Sequence, residues 1–167
     1  PGMPYPVMLD KVFEGAFRAL YMIGSDIAHT DPDNTSVQRA LSNLDLLVVQ
    51  DIFMSESAKY AHVVLPAASF LESDGTYTNG ERRVQRIRKA IDAPGVAKQD
   101  WIIVAELAEA MGHPIIYSDN VSDVWDELAS LTPNFRGISY DRLESPEAIQ
   151  WPVPNVEHSG TKVMHQE

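Results

Sequence analysis

Three short, unbroken apolar runs constrain this chain more than anything else in it: Ala19–Ile23, Leu46–Val49 and Val63–Leu65. Each is too short for a helix, and each stops at a turn or polar residue: Gly24, Gln50-Asp51 and Pro66. Between them the apolar spacing changes to the helical i, i+3, i+4 pattern. Leu9, Val12, Phe13, Ala16 and Leu20 give one stripe; Val37, Ala40, Leu41 and Leu44 give another. A shorter helix is predicted over Ser55 to Tyr60, with Ser55 as N-cap. Apolar strands alternating with helices are buried on both faces and run parallel. The expected fold is therefore α/β, a doubly wound, mostly parallel sheet with flanking helices. Right-handed crossovers bring the strand C-termini to one edge, and ligands of such sheets bind outside it. That edge holds Gly24, Gln50-Asp51 and Pro66.

The pattern changes after Ser69. Asp74-Gly75 and Asn79-Gly80 are turn signals, and the stretch to Ile91 reads as an irregular β excursion. Helix resumes at Asp100, a favoured N-cap type, and Gly112 stands where a C′ glycine belongs. A further helix carries Val121, Val124, Trp125 and Leu128. From Thr132 onward Pro133, Pro146, Pro152 and Pro154 break any regular period, so residues 132–167 read as an irregular, extended C-terminal connection after an α/β part over 1–131. The chain starts without Met and enters a helical pattern at once, which leads us to expect a segment of something longer.

Charge and cysteine content exclude whole classes of function. With a net charge of −11 in 167 residues, general nucleic-acid binding is disfavoured. The basic residues are nevertheless clustered: Arg82, Arg83, Arg86, Arg88 and Lys89. Such a run is either a solvated strand face or domain contact, or a docking surface for phosphates or another part of a larger protein. The sequence contains no Cys, so neither disulfides nor thiolate metal ligands nor iron–sulfur clusters are carried here. His29, His62, His113, His158 and His165 show no paired ligand spacing, and each reads as a surface or loop residue. No run approaches the roughly 18 apolar residues of a membrane span, and Pro1 to Leu9 is no signal peptide. A cytoplasmic location is the expectation.

Four ordered motifs carry a family resemblance. They are Leu47-Val48-Val49-Gln50-Asp51-Ile52-Phe53, His62-Val63-Val64-Leu65-Pro66-Ala67-Ala68-Ser69-Phe70, Glu72-Ser73-Asp74-Gly75-Thr76-Tyr77-Thr78-Asn79 and Glu81-Arg82-Arg83-Val84-Gln85. The series closely resembles the central part of molybdopterin oxidoreductases: a strand ending in Gln/Ser-Asp, an "ADVVLP" strand, an acidic-Gly-Thr turn and an "ERRxQ" segment. Gly24-Ser25-Asp26 and Asp100-Trp101 extend it over essentially the whole chain. Ile149-Gln150-Trp151-Pro152 and Ser159-Gly160-Thr161 look like the stretch before the final β-barrel of formate dehydrogenase alpha subunits. Asp51-Ile52-Phe53-Met54 favours that branch over periplasmic nitrate reductases. Five positions depart from the pattern: Ile27 stands for Pro, His62 for Asp, Gly80 for Thr or Ala, Val153 for Cys, and Ser73 for a Lys of some relatives.

The resemblance implies a parent enzyme that holds molybdenum or tungsten through two pyranopterin guanine dinucleotides. It implies oxidation of formate to carbon dioxide and export of electrons through a 4Fe–4S cluster to electron-transfer subunits. Metal and cluster ligands would lie in the remainder of the alpha subunit, before an absent C-terminal dinucleotide-binding barrel, so no catalytic residue is assigned here. By position, Gly24, Gln50, Asp51, Ser73 and Asp100 would contact the cofactor, Asp100 at the guanine. Plainer roles stay open for each: turn residue for Gly24 and Ser73, loop or helix-entry cap for Asp51, N-cap for Asp100. For Arg82 and Arg83 domain packing is expected. The competing readings are a cofactor-free structural homologue in a respiratory NADH dehydrogenase, another reductase such as nitrate reductase, and a free-standing binding module.

Overall fold

The computed structural model describes residues 2–114, 120–145 and 148–164; Pro146 and His165 lie outside them. The chain divides into two compact units, Pro1–Ser69 with Ala93–Val104, and Phe70–Asp92 with Ala105–Glu167. The boundary expected between 131 and 132 falls inside the second unit, because the β excursion and the tail pack with each other.

The first unit runs α1 (Tyr5–Phe13), β1 (Ala19–Ile23), α2 (Ile27–Thr30), α3 (Asn34–Ser42), β2 (Leu46–Asp51), a 3-10 turn (Ser57–Tyr60), β3 (Val63–Pro66) and the start of α4 (Asp100–Ala110). All three expected strands form, in the order β1-β2-β3 and parallel throughout. The strand order is consecutive, so the reversal that completes a doubly wound sheet is not made among these three strands. Register places Ile23 opposite Gln50 and Asp51 opposite Pro66, so the C-terminal ends are level.

Helix α1 is shorter than its apolar stripe. It ends at Phe13 because Gly15 takes φ +72°, and the Ala16 and Gly15 N–H groups turn back to the Lys11 and Val12 carbonyls. Ala16 and Leu20 therefore leave the helix, and Leu20 joins β1. One face of the sheet is packed: Met22, Leu47 and Val49 meet Val12, Val37, Ala40 and Leu41 in a single cluster. Removing one such side chain from water stabilises by roughly 1.5–3 kcal/mol. The opposite face carries Leu46 and Val63, both exposed, but also Gln50, which is fully buried.

The second unit is an antiparallel sheet, β4 (Gly75–Thr78), β5 (Arg83–Ile87) and β6 (Ile149–Gln150), in that order, with α5 (Val121–Leu131) and α6 (Tyr140–Leu143). The tail is irregular, as its prolines required, yet it supplies much of this core. Ile138, Leu143, Ile149 and Val153 cluster with Val84 and Trp125, whose indole N–H donates to the Ile138 carbonyl at 2.8 Å.

The basic run is held inside this unit. The Arg82 guanidinium donates to the carbonyls of Trp151, Thr161 and Lys162. Arg86 pairs with Asp74 at 2.6 Å and lies 4.1 Å over the Tyr140 ring. Arg83 meets Glu81, Arg88 meets Glu144, and Lys89 meets Asp92. Cations so occupied make a poor phosphate surface, and the packing role expected for Arg82 is the observed one. Titrating labelled single- and double-stranded oligonucleotides into the chain near physiological salt should give no submicromolar binding. Packing is tested by neighbours in β2: Leu47→Ala should cost about 2–5 kcal/mol in denaturant unfolding, Leu46→Ala under about 1 kcal/mol.

Candidate functional site

The level strand ends bring Gly24, Gln50 and Asp51 together, as the topology predicted. Gly24 closes β1 with φ +57°, a conformation other residues rarely adopt, and its N–H donates to the Gln50 carbonyl at 2.9 Å. Open space lies where a Cβ would stand. A backbone that is left-handed and uncovered lets a ligand approach closely. Asp51 is half-buried, and its carboxylate accepts from the next N–H, that of Ile52, at 2.7 Å.

Asp100 reaches the same edge along a route the sequence did not show. Beyond β3, Ala67 and Lys98 form a parallel bridge: Ala68 N–H donates to the Lys98 carbonyl at 2.8 Å and Lys98 N–H to that of Pro66 at 3.2 Å. That strap delivers the first turn of α4. Its first helical bond runs from Ile103 N–H to the Gln99 carbonyl at 3.2 Å, so Gln99 is the N-cap and Asp100 the first residue inside the helix. This corrects the expected N-cap. The Asp100 carboxylate accepts instead from Gln50 Nε2 at 2.5 Å, and the Gln50 Oε1 accepts from the Tyr21 hydroxyl. Gln50 is fully buried while Asp100 is exposed. An exposed carboxylate in a first helical turn, facing positive backbone dipoles, is an acceptor-only group suited to paired N–H donors.

Two further features were not foreseen. Asp26, not Ser55, caps the 3-10 turn: its carboxylate accepts from Glu56 N–H at 3.2 Å, Ser57 N–H at 2.8 Å and Ser57 Oγ at 2.7 Å. Ser57 Oγ in turn accepts from Ala28 N–H at 2.9 Å. The loops after β1 and β2 are thereby fastened to each other. In the sequence Tyr21 is one residue of an apolar run; its one signal is that it alternates onto the same face as Ile23. Ser73 falls in the second unit, half-buried in the turn before β4. The described apolar cavity, about 170 Å³, is lined by Leu20, Met22 and Leu41 on the opposite sheet face, and its chemistry does not suit a nucleotide.

The sequence profile described as Molybdopterin oxidoreductase matches residues 5–110, well over half of the chain. The chain belongs to that family. It is 47% identical over 167 residues to the F420-dependent formate dehydrogenase subunit alpha of Methanocaldococcus jannaschii, covering 99% of this chain and 24% of that one. It is 44% identical over 153 residues to a putative formate dehydrogenase of Staphylococcus haemolyticus, covering 92% of this chain and 15% of that one. The chain thus spans a quarter or less of the length of these relatives. Among solved structures, acetylene hydratase from Pelobacter acetylenicus superposes with a TM-score of 0.60 at 25% identity, covering 66% of this chain and 16% of that one. A fold shared by a hydratase and dehydrogenases leaves the chemistry to the site.

Within this family three departures have physical accounts. His62 Nδ1 accepts from Leu47 N–H at 2.9 Å, an acceptor role that the usual Asp would also fill. Ile27 is the first residue of α2, where the usual Pro is tolerated because that N–H has no helical partner. Val153 is fully buried in an apolar cluster, an environment that also suits Cys.

Asp26 yields a pH test. Burial raises its pKa, but the hydrogen bonds from Ser57 and Glu56, and the nearby His29, outweigh this and hold it below the ordinary 3.8. A carboxylate whose folded pKa is depressed stabilises fully above its unfolded pKa, and that stability is lost as pH falls through the folded value. Asp26→Asn should therefore unfold at lower denaturant than the parent chain at pH 7. The gap should narrow below about pH 4, as urea midpoints measured from pH 7 to pH 3 would show.

Proposed function

We propose that this chain is the part of a larger formate dehydrogenase alpha subunit that holds the nucleotide end of a pterin guanine dinucleotide. The observation that carries the reading is Asp100, an exposed carboxylate anchored to Gln50 at the C-terminal edge of a parallel sheet. The residues present fit the group. Guanine offers adjacent ring N–H and exocyclic NH₂ donors, and one carboxylate accepts both. Gly24, left-handed and uncovered, admits a ribose or phosphate beside it. Asp51 is the remaining proposed contact at this edge; Ser73, in the second unit, is proposed as a cofactor contact from its position in the sequence alone.

When bound, the dinucleotides would hold molybdenum or tungsten for the oxidation of formate to carbon dioxide, with electrons leaving through a 4Fe–4S cluster to partner subunits in the cytoplasm. This chain's own residues bind and orient. Having no cysteine, it offers no thiolate to metal or cluster, and those ligands belong to the rest of the parent protein. The names of the relatives support formate over nitrate as substrate, and support a catalytic parent over a cofactor-free NADH dehydrogenase homologue. No described helix is long and apolar enough to cross a membrane.

Asp100→Asn in the full-length enzyme tests the assignment. The helix should remain, since Asp100 is not its cap. Asn turns its carbonyl to Gln50 Nε2 and so faces guanine with NH₂, donor against donor. Losing a charged hydrogen bond costs about 1.5–3 kcal/mol, roughly tenfold or more in affinity. The variant should fold with an unchanged thermal midpoint and release far less guanine nucleotide on denaturation, with activity falling in proportion. Normal guanine content would reduce Asp100 to a structural residue. The isolated chain, for its part, should take up no stoichiometric molybdenum or tungsten by elemental mass spectrometry.

A further inference from the structure

Among the described residues of the first unit, Gln50 is the one long polar side chain with no exposed surface, and both ends of its amide are engaged within the protein. The direction of each bond is fixed by chemistry. An ionised Asp100 only accepts, so the amide must turn its NH₂ toward it. The carbonyl oxygen then faces Tyr21, whose hydroxyl must donate. Burial first, then the negative charge of Asp100, pushes the Tyr21 phenol above its usual range, so the proton needed for that donation stays in place. Tyr21 and Gln50 stand on neighbouring strands whose register is set by five paired positions, a base that does not rotate. Asp100, by contrast, is exposed and would sample several rotamers if untethered, at an entropic cost to any ligand that must select one.

We propose that Tyr21 and Gln50 are positioning residues for guanine recognition: the chain Tyr21 O–H to Gln50 Oε1, Gln50 N–H to Asp100 Oδ1, holds the Asp100 carboxylate in the orientation that meets both guanine donors. The inference rests on Asp100 as the guanine contact. Gln50 then acts through Asp100 and not by touching the nucleotide. The relay serves specificity as well as affinity, because an aligned carboxylate distinguishes a base with two adjacent donors from one with a single donor, while a swinging one does so poorly.

A double-mutant cycle in the full-length holoenzyme separates this role from simple packing. Tyr21→Phe removes one hydroxyl and leaves the ring. Guanine nucleotide released per folded protein is measured for Tyr21→Phe, Asp100→Asn and the double variant, with the thermal midpoint as control. Tyr21→Phe should lower guanine content several-fold, and the double variant should lose no more than Asp100→Asn alone. Normal content in Tyr21→Phe beside low content in Asp100→Asn overturns the relay and leaves the guanine contact standing. Normal content in Asp100→Asn overturns both. Losses that multiply in the double variant mean that Tyr21 acts independently of Asp100, and the relay falls. A second pair reads the same chain without altering Tyr21. Gln50→Glu added to Asp100→Asn presents an acceptor to both neighbours, so the amide introduced by Asp100→Asn turns its NH₂ inward and its oxygen toward guanine. Guanine content should recover partly above that of Asp100→Asn, and no recovery in folded enzyme would count against the relay.

Discussion

Among the described residues, strand β2 is the only strand of the first unit flanked by a strand on either side, and the placements at the candidate site are measured from it. Leu47 and Val49 point into the packed cluster, which fixes the strand's rotation about its own axis. A one-residue slip would bring Leu46 and Val48 inward and expose the buried pair, at a cost of several kcal/mol. With rotation fixed, Gln50 must project from the other face, toward Tyr21 and the start of α4. Burial of two aliphatic side chains thus determines where an amide stands.

Around that strand the unit is tied by polar contacts with few spare groups. Asp26 caps the 3-10 turn that follows β2, and Ser57 returns a bond to α2, so the loops leaving β1 and β2 move together. The strap at Lys98 fastens the start of α4 to β3. The result is an edge with Gly24 open and Asp100 held by Gln50. In the second unit the same logic is applied to cations. Arg82 and Arg86 engage backbone carbonyls, Asp74 and an aromatic ring, and they join the β excursion to the proline-rich tail.

The likeness to formate dehydrogenase alpha subunits and the geometry support one another at a specific point. The Gln50-Asp51 strand end and Asp100-Trp101 are separate family motifs in the sequence, fifty positions apart. In space Gln50 and Asp100 are a single hydrogen-bonded pair. Departures such as His62 and Ile27 fall where the replacement keeps the acceptor or the helix start, which explains how the family fold tolerates them.

The sequence by itself determined the three strands, their parallel sense, the level edge that gathers Gly24, Gln50 and Asp51, and the family. Those follow from apolar period and from ordered motifs, both written along the chain. It also excluded thiolate chemistry, because no cysteine is present. It misplaced the end of α1, where Gly15 outranks the apolar stripe, and it misassigned two caps, Ser55 and Asp100. Tertiary structure alone decided that Asp26 caps the 3-10 turn, that Tyr21 supports Gln50, and that Arg82 bonds to the carbonyls of the tail. The physical reason is common to all three. A hydrogen bond between groups tens of residues apart leaves no period in the sequence, and its partners are chosen only when packing has brought their backbones together.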